Sequence, residues 1–309
     1  MNNPGPNIAA SVRQRLLNRA RERSEDYGLL LTKFALERLL YRISQSPYRR
    51  TFILKGALLF ELWTEQTHRS TRDADFLAHG DNNPARFAAI LRELCEQPFE
   101  NDGLLFDPTT VKAERIREEA DYEAVRVTLL ARLAGARIPI QIDIGFGDAI
   151  TPAPKETAFP TLLNLPQPVL LAYPKESVVA EKFEAMVKLG IANSRMKDFY
   201  DLRVLAEIFA FDGGLLAEAI RRTFDRRKTV IPDHAPPLVF TPAFLSDDQK
   251  NLQWDAFIAK NRLYVKPVSL QQSVSEIQRF LTPLITAPAD EQSDMSWQPN
   301  GPWERISRK

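Results

Sequence analysis

A proline-rich stretch near the middle of the chain separates two parts that differ in sequence pattern. Five prolines lie between residues 152 and 168, and no helical pattern occurs among them. Before this stretch, strand-like and helical runs are mixed, whereas after it only helical periodicity continues. This order predicts an α+β fold, in which a mixed sheet with flanking helices precedes a C-terminal helical bundle.

The same stretch gives the expected domain boundary. We expect the N-terminal helices and the sheet-containing core in residues 1–150, and a helical domain in residues 151–287. Residues 288–309 are polar and contain prolines, so we expect a disordered tail there.

Apolar spacing and turn residues predict the individual elements. In the first part, helical spacing covers residues 8–23, 27–43, 57–63 and 84–95. Period-two runs predict strands over residues 51–54, 72–78, 111–117, 124–133 and 138–144. In the second part, helices are predicted over residues 175–189, 196–210, 214–224, 247–260 and 269–281.

Composition limits the kinds of site and partner. The 41 basic and 40 acidic residues give a net charge of +1, so no overall positive field marks a nucleic-acid binder, although a local basic patch is compatible with it. Cys95 is the only cysteine, which excludes an intrachain disulfide and a multi-thiolate zinc site. No apolar run approaches the roughly 20 residues of a membrane helix, and Met1–Ala10 lacks a signal-peptide pattern. We therefore expect a cytoplasmic protein with no membrane partner.

Three aspartates on predicted strands are the strongest candidates for a site. Asp73 and Asp75 are two residues apart, so both project from one face of a strand, roughly 7 Å apart along the chain. Asp143 lies in a strand whose opposite face is aliphatic, and an acid in a strand otherwise suited to burial is typical of a functional site. Close like charges are costly unless cations neutralise them.

Oxygen ligands of this kind suit Mg²⁺, or Mn²⁺ in its place, and a pair of such ions can support phosphoryl transfer. The alternative is structural: Asp73 and Asp75 could face solvent, and Asp143 could cap the turn before Gly145. Lys55 and Gly56 precede them at a strand-to-helix corner, where backbone N–H groups can hold phosphate, although a glycine at a turn often only turns the chain.

A second group lies in the helical part. Lys182 interrupts an apolar helical pattern, and Asp198 and Asp201 share one face of the next helix at i and i+3. A lysine can meet a triphosphate as a point charge, with the paired aspartates orienting it. Spacing alone equally allows a surface ion-pair network among Glu181, Lys182, Lys197 and Asp201.

Taken together, four segments in order resemble the motifs of AbiEii/AbiGii nucleotidyltransferases, which are toxins of type IV toxin–antitoxin systems. The segments are Lys55–Leu58 with His68–Phe76, then Ile140–Asp143, then Glu176–Ala185, and finally Arg195–Leu202. Two positions depart from the usual pattern. Ala57 replaces a glycine or serine, which puts a hydroxyl contact to phosphate in doubt, and Ala74 replaces a bulky aliphatic residue.

The resemblance implies a DNA polymerase-β-like nucleotidyltransferase core and assigns roles to residues. Asp73, Asp75 and Asp143 would bind the metal ions, and Asp143 would help to deprotonate the acceptor. Lys182 would contact the triphosphate of the NTP, with Asp198 and Asp201 completing the catalytic pocket. The nucleotide end would be shaped by Lys55, Gly56, Arg69 and Thr71. Members of the MenT type transfer nucleotides to the 3′ end of tRNA, and a cognate antitoxin protein neutralises them.

Other hypotheses remain open at this stage. The acceptor could be a protein or a small molecule, or the chain could be a non-catalytic binding module with a nucleotidyltransferase fold. A hydrolase is less favoured, because His68, the histidine near the first motif, is interpreted as incidental. RNA phosphates could be bound by two groups of basic residues, although their pattern alone favours solvated helix faces. The groups are Arg13, Arg15, Arg19, Arg21 and Arg23, and Arg221, Arg222, Arg226, Arg227 and Lys228.

Overall fold

The computed structural model describes residues 7–64, 68–97, 102–118 and 122–305. The chain divides into two compact units, the first formed by Met1–Gly147 and Lys155–Ala172, the second by Asp148–Pro154 and Tyr173–Lys309. This division differs from a single boundary after residue 150, because the chain returns to the first unit for one segment. That the two units are independent domains stays a prediction.

Within the described ranges, the first unit combines four helices with seven strands. Its helices are α1 (Ile8–Arg23), α2 (Tyr27–Ser44), α3 (Leu58–Thr64) and α4 (Pro84–Glu96). Its strands are β1 (Phe52–Lys55), β2 (Asp73–Ala78), β3 (Leu105–Glu118), β4 (Tyr122–Leu133), β5 (Ala136–Phe146), β6 (Lys155–Ala158) and β7 (Val169–Ala172). The predicted helices and strands are present, and β3 begins six residues earlier than the sequence pattern indicated.

All seven strands form one mixed sheet in the order β3-β4-β5-β2-β1-β7-β6. The pairs β2–β5 and β1–β7 are parallel, and the other neighbouring pairs are antiparallel. One face of the central strands is fully buried, with Phe76, Val127, Ile142 and Ile144 each 0% exposed. Alternation therefore places the intervening polar residues of β2, β4 and β5 on the opposite face. The predicted α+β class and mixed sheet are confirmed.

Two strands of this sheet come from the proline-rich stretch, where the sequence suggested no regular element. β7 pairs with β1 through Ile53–Leu171 and Leu54–Ala172, and β6 pairs with β7 at the edge of the sheet. The strands are only four residues long, so period-two alternation is too brief to distinguish them from a loop.

The second unit is mainly helical. Its helices are α5 (Lys175–Leu189), α6 (Met196–Ile208), α7 (Gly213–Arg227), α8 (Pro242–Leu245), α9 (Asp248–Lys260), α10 (Leu270–Thr286) and α11 (Ala289–Gln292). A small antiparallel sheet accompanies them, made of β8 (Phe211–Asp212), β9 (Met295–Trp297) and β10 (Trp303–Arg305). Across the described residues, no helix has both the length and the apolar character needed to cross a membrane.

The expectation of a disordered C-terminal tail is corrected by the structure. Within the described part of residues 288–309, α11, β9 and β10 are formed, and Trp297 is 1% exposed. Its indole nitrogen donates to the carbonyl of Ala206 at 2.7 Å, and its ring lies 4.9 Å from that of Phe280. Polar composition suggested disorder, but the buried tryptophan supplies the apolar contact that orders this segment.

Candidate active site

Strands β2 and β5 bring three aspartates together on one face of the first unit's sheet. Asp75 pairs in register with Asp143, and Asp73 pairs with Gln141. One carboxylate oxygen from each of Asp73, Asp75 and Asp143 can be chosen so that all three lie within 4.8 Å of one another. Asp143 is buried, whereas Asp73 and Asp75 are half-buried. The predicted convergence of the three acids is therefore present in the structure.

The corner before α3 is shaped around Asp75. Gly56 has a φ of +76°, and a Cβ atom at this position would lie 1.9 Å from Oδ2 of Asp75. Only glycine combines this backbone conformation with the close approach of the carboxylate. Ahead of β2, the Thr71 hydroxyl donates to Oδ1 of Asp73 at 2.5 Å, which orients that acid. Two residues predicted for the nucleotide end thus position the acids.

Cations flank the acids along one row across the sheet. Lys55 of β1 pairs with Asp75, Asp75 with Asp143, and Asp143 with Arg126 of β4. Paired residues on neighbouring strands share a face, so a lysine and an arginine stand at the two ends of a pair of acids. A Cβ built on Gly145 would lie 3.4 Å from Nζ of Lys55, which places that lysine's ammonium group at β5.

Arg126 makes a two-point contact with Asp143 of the cluster. Its Nε donates to Oδ1 of Asp143 and its Nη2 donates to Oδ2, both at 2.8 Å. The Gln141 amide also donates to Oδ2 of Asp143 at 3.1 Å. Hydrogen bonding to Asp143 raises the pKa of Arg126 above its ordinary value. The carboxylate of Asp143 is thus held by three hydrogen bonds from two side chains.

The sequence analysis missed Arg126 and Gln141, although the sequence contained a signal for the first. Ala134 and Gly135 have φ values of +44° and +85° and form a two-residue hairpin turn between β4 and β5. With the turn at Ala134 and Gly135, Leu133 pairs with Ala136, and the same antiparallel register pairs Arg126 with Asp143. Gln141 is identified by alternation, because it lies two residues from Asp143 on the same face.

A second polar cluster lies in the second unit, where α5 and α6 meet. Lys182 Nζ lies 2.5 Å from Oδ1 of Asp198 and 2.8 Å from Oδ2 of Asp201. Arg195 adds an ion pair to Asp198, with Nε 2.6 Å from Oδ2. Asp198 and Asp201 are 1% and 0% exposed. The structure therefore joins the three residues that the sequence analysis grouped.

Burial and charge act in opposite directions on Asp198. Burial raises the pKa of its carboxyl, but the positive charges of Lys182 and Arg195 outweigh burial, so the pKa lies below its ordinary value. The surface network considered as an alternative is not what the structure contains. Lys197 is exposed, and Glu181 lies 3.7 Å from Arg227 of α7 instead.

The other residues considered in the sequence analysis differ in their exposure to solvent. Arg69 lies half-buried in the segment before β2, and its predicted role stays a prediction. His68 is buried and stacks on Phe60 with ring centroids 3.7 Å apart, and its having no catalytic role stays a prediction. Arg227, one of the basic residues considered for RNA, is withdrawn from solvent by Asp148 and Glu184. Arg221, Arg222 and Arg226 remain exposed on α7.

The chain is similar in fold to two solved structures. A proposed nucleotidyltransferase from H. pylori is 15% identical, with 83% of this chain and 93% of that chain covered and a TM-score of 0.45. JHP933 from Helicobacter pylori is also 15% identical, with 86% and 94% covered and a TM-score of 0.47. No curated protein matches the chain.

The family comparison covers most of the sequence. A model described as "Nucleotidyl transferase AbiEii toxin, Type IV TA system" matches residues 38–281, a span that contains all three aspartates of the first unit and the Lys182 cluster. Because this match extends over far more than half of the 309 residues, the chain belongs to the AbiEii family of nucleotidyltransferase toxins of type IV toxin–antitoxin systems.

Proposed function

We propose that the chain transfers a nucleotide from an NTP to the 3′ end of an RNA, with tRNA as the expected acceptor, and that divalent cations held by Asp73, Asp75 and Asp143 support the reaction. The observation that supports this proposal is the convergence of the three carboxylates within 4.8 Å. An exposed acidic group alone would be weak support. Here the acids come from two parallel strands, and one of them is buried.

The donor set fits a hard cation. All three candidate ligands are carboxylates, which Mg²⁺ and Mn²⁺ accept, and partial exposure of Asp73 and Asp75 leaves room for water and phosphate oxygens. Bound cations would supply positive charge to the triphosphate and to the attacking oxygen. Mg²⁺ is the expected ion.

The chain's own residues would orient the reactants. In the transfer, the acceptor hydroxyl oxygen forms a bond to the α-phosphorus, and the bond from that phosphorus to the bridging oxygen breaks, releasing diphosphate. Asp143 would take the hydroxyl proton. Gly56 leaves space for Asp75, and Thr71 fixes Asp73, so both acids are oriented before substrate arrives.

Lys182 is proposed to contact the triphosphate. Its ammonium group is held by Asp198 and Asp201 and is 12% exposed, so its position is defined. A fixed point charge of this kind suits a phosphate group better than a mobile surface lysine does. Lys55 and Arg69 are proposed to contribute at the nucleotide end.

The test is transfer of label from α-³²P NTPs to total RNA in the presence of Mg²⁺ or Mn²⁺. We expect the wild-type protein to label RNA, Asp75→Asn and Asp143→Asn to abolish labelling, and Asp107→Asn to retain it. Asp107 is the matched control, because it is an acid of the same sheet whose partner is Arg132 at the surface. All variants should be folded by thermal unfolding before labelling is compared.

The outcomes separate the alternatives. Label in protein or in a low-mass product would identify a different acceptor with the same metal site. Absence of label in every fraction, from folded protein with each NTP, would favour the non-catalytic binding module. As a toxin, the chain should arrest growth when expressed, and a cognate antitoxin protein should relieve the arrest. Asp75→Asn should remove the toxicity.

A further inference from the structure

We propose that Arg126 is the counter-ion of Asp143 and that a divalent cation takes its place there on binding. The inference rests on the metal site of the proposed function, but it does not depend on nucleotide transfer. Arg126 lies on β4, outside the four motifs by which the family was suspected from sequence.

The contact geometry indicates more than an incidental ion pair. Two parallel hydrogen bonds of 2.8 Å join the guanidinium of Arg126 to both oxygens of Asp143. Planar two-point pairing of this kind fixes the orientation of the carboxylate as well as its charge. Arg126 of β4 therefore fixes the orientation of the Asp143 carboxylate from the side of β5 opposite to β2.

The two partners differ in access to solvent. The side chain of Asp143 is 7% exposed, whereas that of Arg126 is 35% exposed. The guanidinium can move into water at low cost, but Asp143 remains enclosed by its strand neighbours and needs another cation when Arg126 leaves. The exposed partner of the pair is thus the one that can be exchanged.

Charge determines the direction of the effect on metal binding. With three carboxylates within 4.8 Å, the site attracts cations, and Arg126 already satisfies part of that attraction. A guanidinium hydrogen-bonded to one of the ligands also repels a divalent ion that binds beside it. Removal of the positive charge should therefore tighten metal binding, although it destabilises the metal-free protein.

A matched pair on the same strand provides the control. Arg132 lies six residues from Arg126, so it projects from the same face of β4, and it pairs with Asp107 at 3.2 Å. Its side chain is 48% exposed, and Asp107 is not among the clustered acids. Arg132→Gln removes an arginine and an ion pair without changing the charge at Asp143.

The experiment titrates the full chain with Mn²⁺ and follows free Mn²⁺ by electron paramagnetic resonance. We expect Arg126→Gln to lower the Kd for Mn²⁺ about tenfold or more, which corresponds to about 1.4 kcal/mol. Arg126→Lys keeps the charge, so its Kd should stay within about threefold of wild type, as should that of Arg132→Gln. A Kd for Arg126→Gln that is unchanged or higher would overturn the proposal.

Thermal unfolding gives a second readout that does not need activity. Without metal, Arg126→Gln should unfold at a lower temperature than wild type, and saturating Mn²⁺ should raise its Tm more than it raises that of wild type. If Arg126→Gln does not fold, the double variant that carries Arg126→Gln and Asp143→Asn tests the proposal instead. Its Tm should lie within about 2 °C of that of Asp143→Asn alone, because no carboxylate is left to compensate. A much lower Tm would show that Arg126 acts elsewhere.

An activity measurement separates this inference from the proposed function. If wild type transfers no nucleotide but Arg126→Gln still binds Mn²⁺ more tightly, the proposed function fails and the exchange of counter-ions stands.

Discussion

The carboxylate of Asp75 fills the space beside Gly56 that any larger residue at position 56 would need. A Cβ there would meet Oδ2 at 1.9 Å and Cγ at 2.7 Å, and both atoms belong to a short side chain on a central strand. The glycine corner and the acid are therefore coupled by geometry, and the residue that turns the chain also determines where a candidate metal ligand can lie.

Gly56→Ala should abolish nucleotide transfer and destabilise the protein by about 2–4 kcal/mol, because it adds a clash with Asp75 to an unfavourable φ. Gly135→Ala is the control. Its φ is +85°, but a Cβ there meets nothing within 4 Å, so it should cost only about 1–2 kcal/mol and leave activity intact. Chemical denaturation and label transfer measure both effects. Equal losses in the two variants would show that the approach of Asp75 is unimportant.

Lys182→Met should destabilise the second unit by about 3–5 kcal/mol, because it leaves Asp198 and Asp201 buried with less compensating charge. Lys197→Met changes an exposed lysine on the same helix as the two acids and should stay within about 0.5 kcal/mol of wild type. Denaturant titrations compare the two. A stable Lys182→Met protein without transfer activity would instead mean that the lysine serves the substrate alone.

Glu37 of α2 should make the unfolding free energy depend on pH. Burial raises the pKa of its carboxyl from 4.5 to about 7, despite a hydrogen bond from the Leu162 amide and the nearby charge of Arg38. A raised acid pKa gives stability that is complete below pH 4.5 and is lost as the pH rises through about 7. Glu37→Gln should remove that loss.

We therefore expect the unfolding free energy of Glu37→Gln, relative to wild type, to increase between pH 5 and pH 8, by at most about 3 kcal/mol. Glu22→Gln, at an exposed position on α1, should show no such change. The measurement is denaturant unfolding at a series of pH values. A constant difference between Glu37→Gln and wild type at all pH values would contradict this assignment.

Trp297→Ala should cost about 3–5 kcal/mol, because it removes a fully enclosed ring and the hydrogen bond to Ala206. Trp303→Ala, at a half-buried position on the neighbouring strand, should cost less. Thermal unfolding with both variants checks the order. If neither variant shifted the transition, the C-terminal strands would add nothing to the stability of the second unit.

Much of the site could be predicted because its information is local. The spacing of Asp73 and Asp75 places them on one strand face, and the i, i+3 relation places Asp198 and Asp201 on one helix face. The motif order indicated the family, which the family comparison confirms. The MenT-type subdivision, the roles of the individual residues and the acceptor stay predictions.

What was missed depends on contacts between distant segments. Arg126 gains its meaning only from the pairing of β4 with β5, which requires the position of the turn to the residue. The ordered C-terminal segment depends on Trp297 reaching Ala206, a partner 91 residues away. Neither polarity nor proline content contains that information, so composition predicted disorder where tertiary contacts impose order.

The late return of β7 to β1 has a practical consequence for dividing this protein. β1 hydrogen-bonds to β2 on one side and to β7 on the other, and β7 lies beyond residue 150. A fragment ended at residue 150 would expose the backbone of β1 along a bare edge, where strands of other molecules can add. An expression fragment for the seven-stranded sheet should therefore extend through Ala172, and a fragment ended at residue 150 should form aggregates.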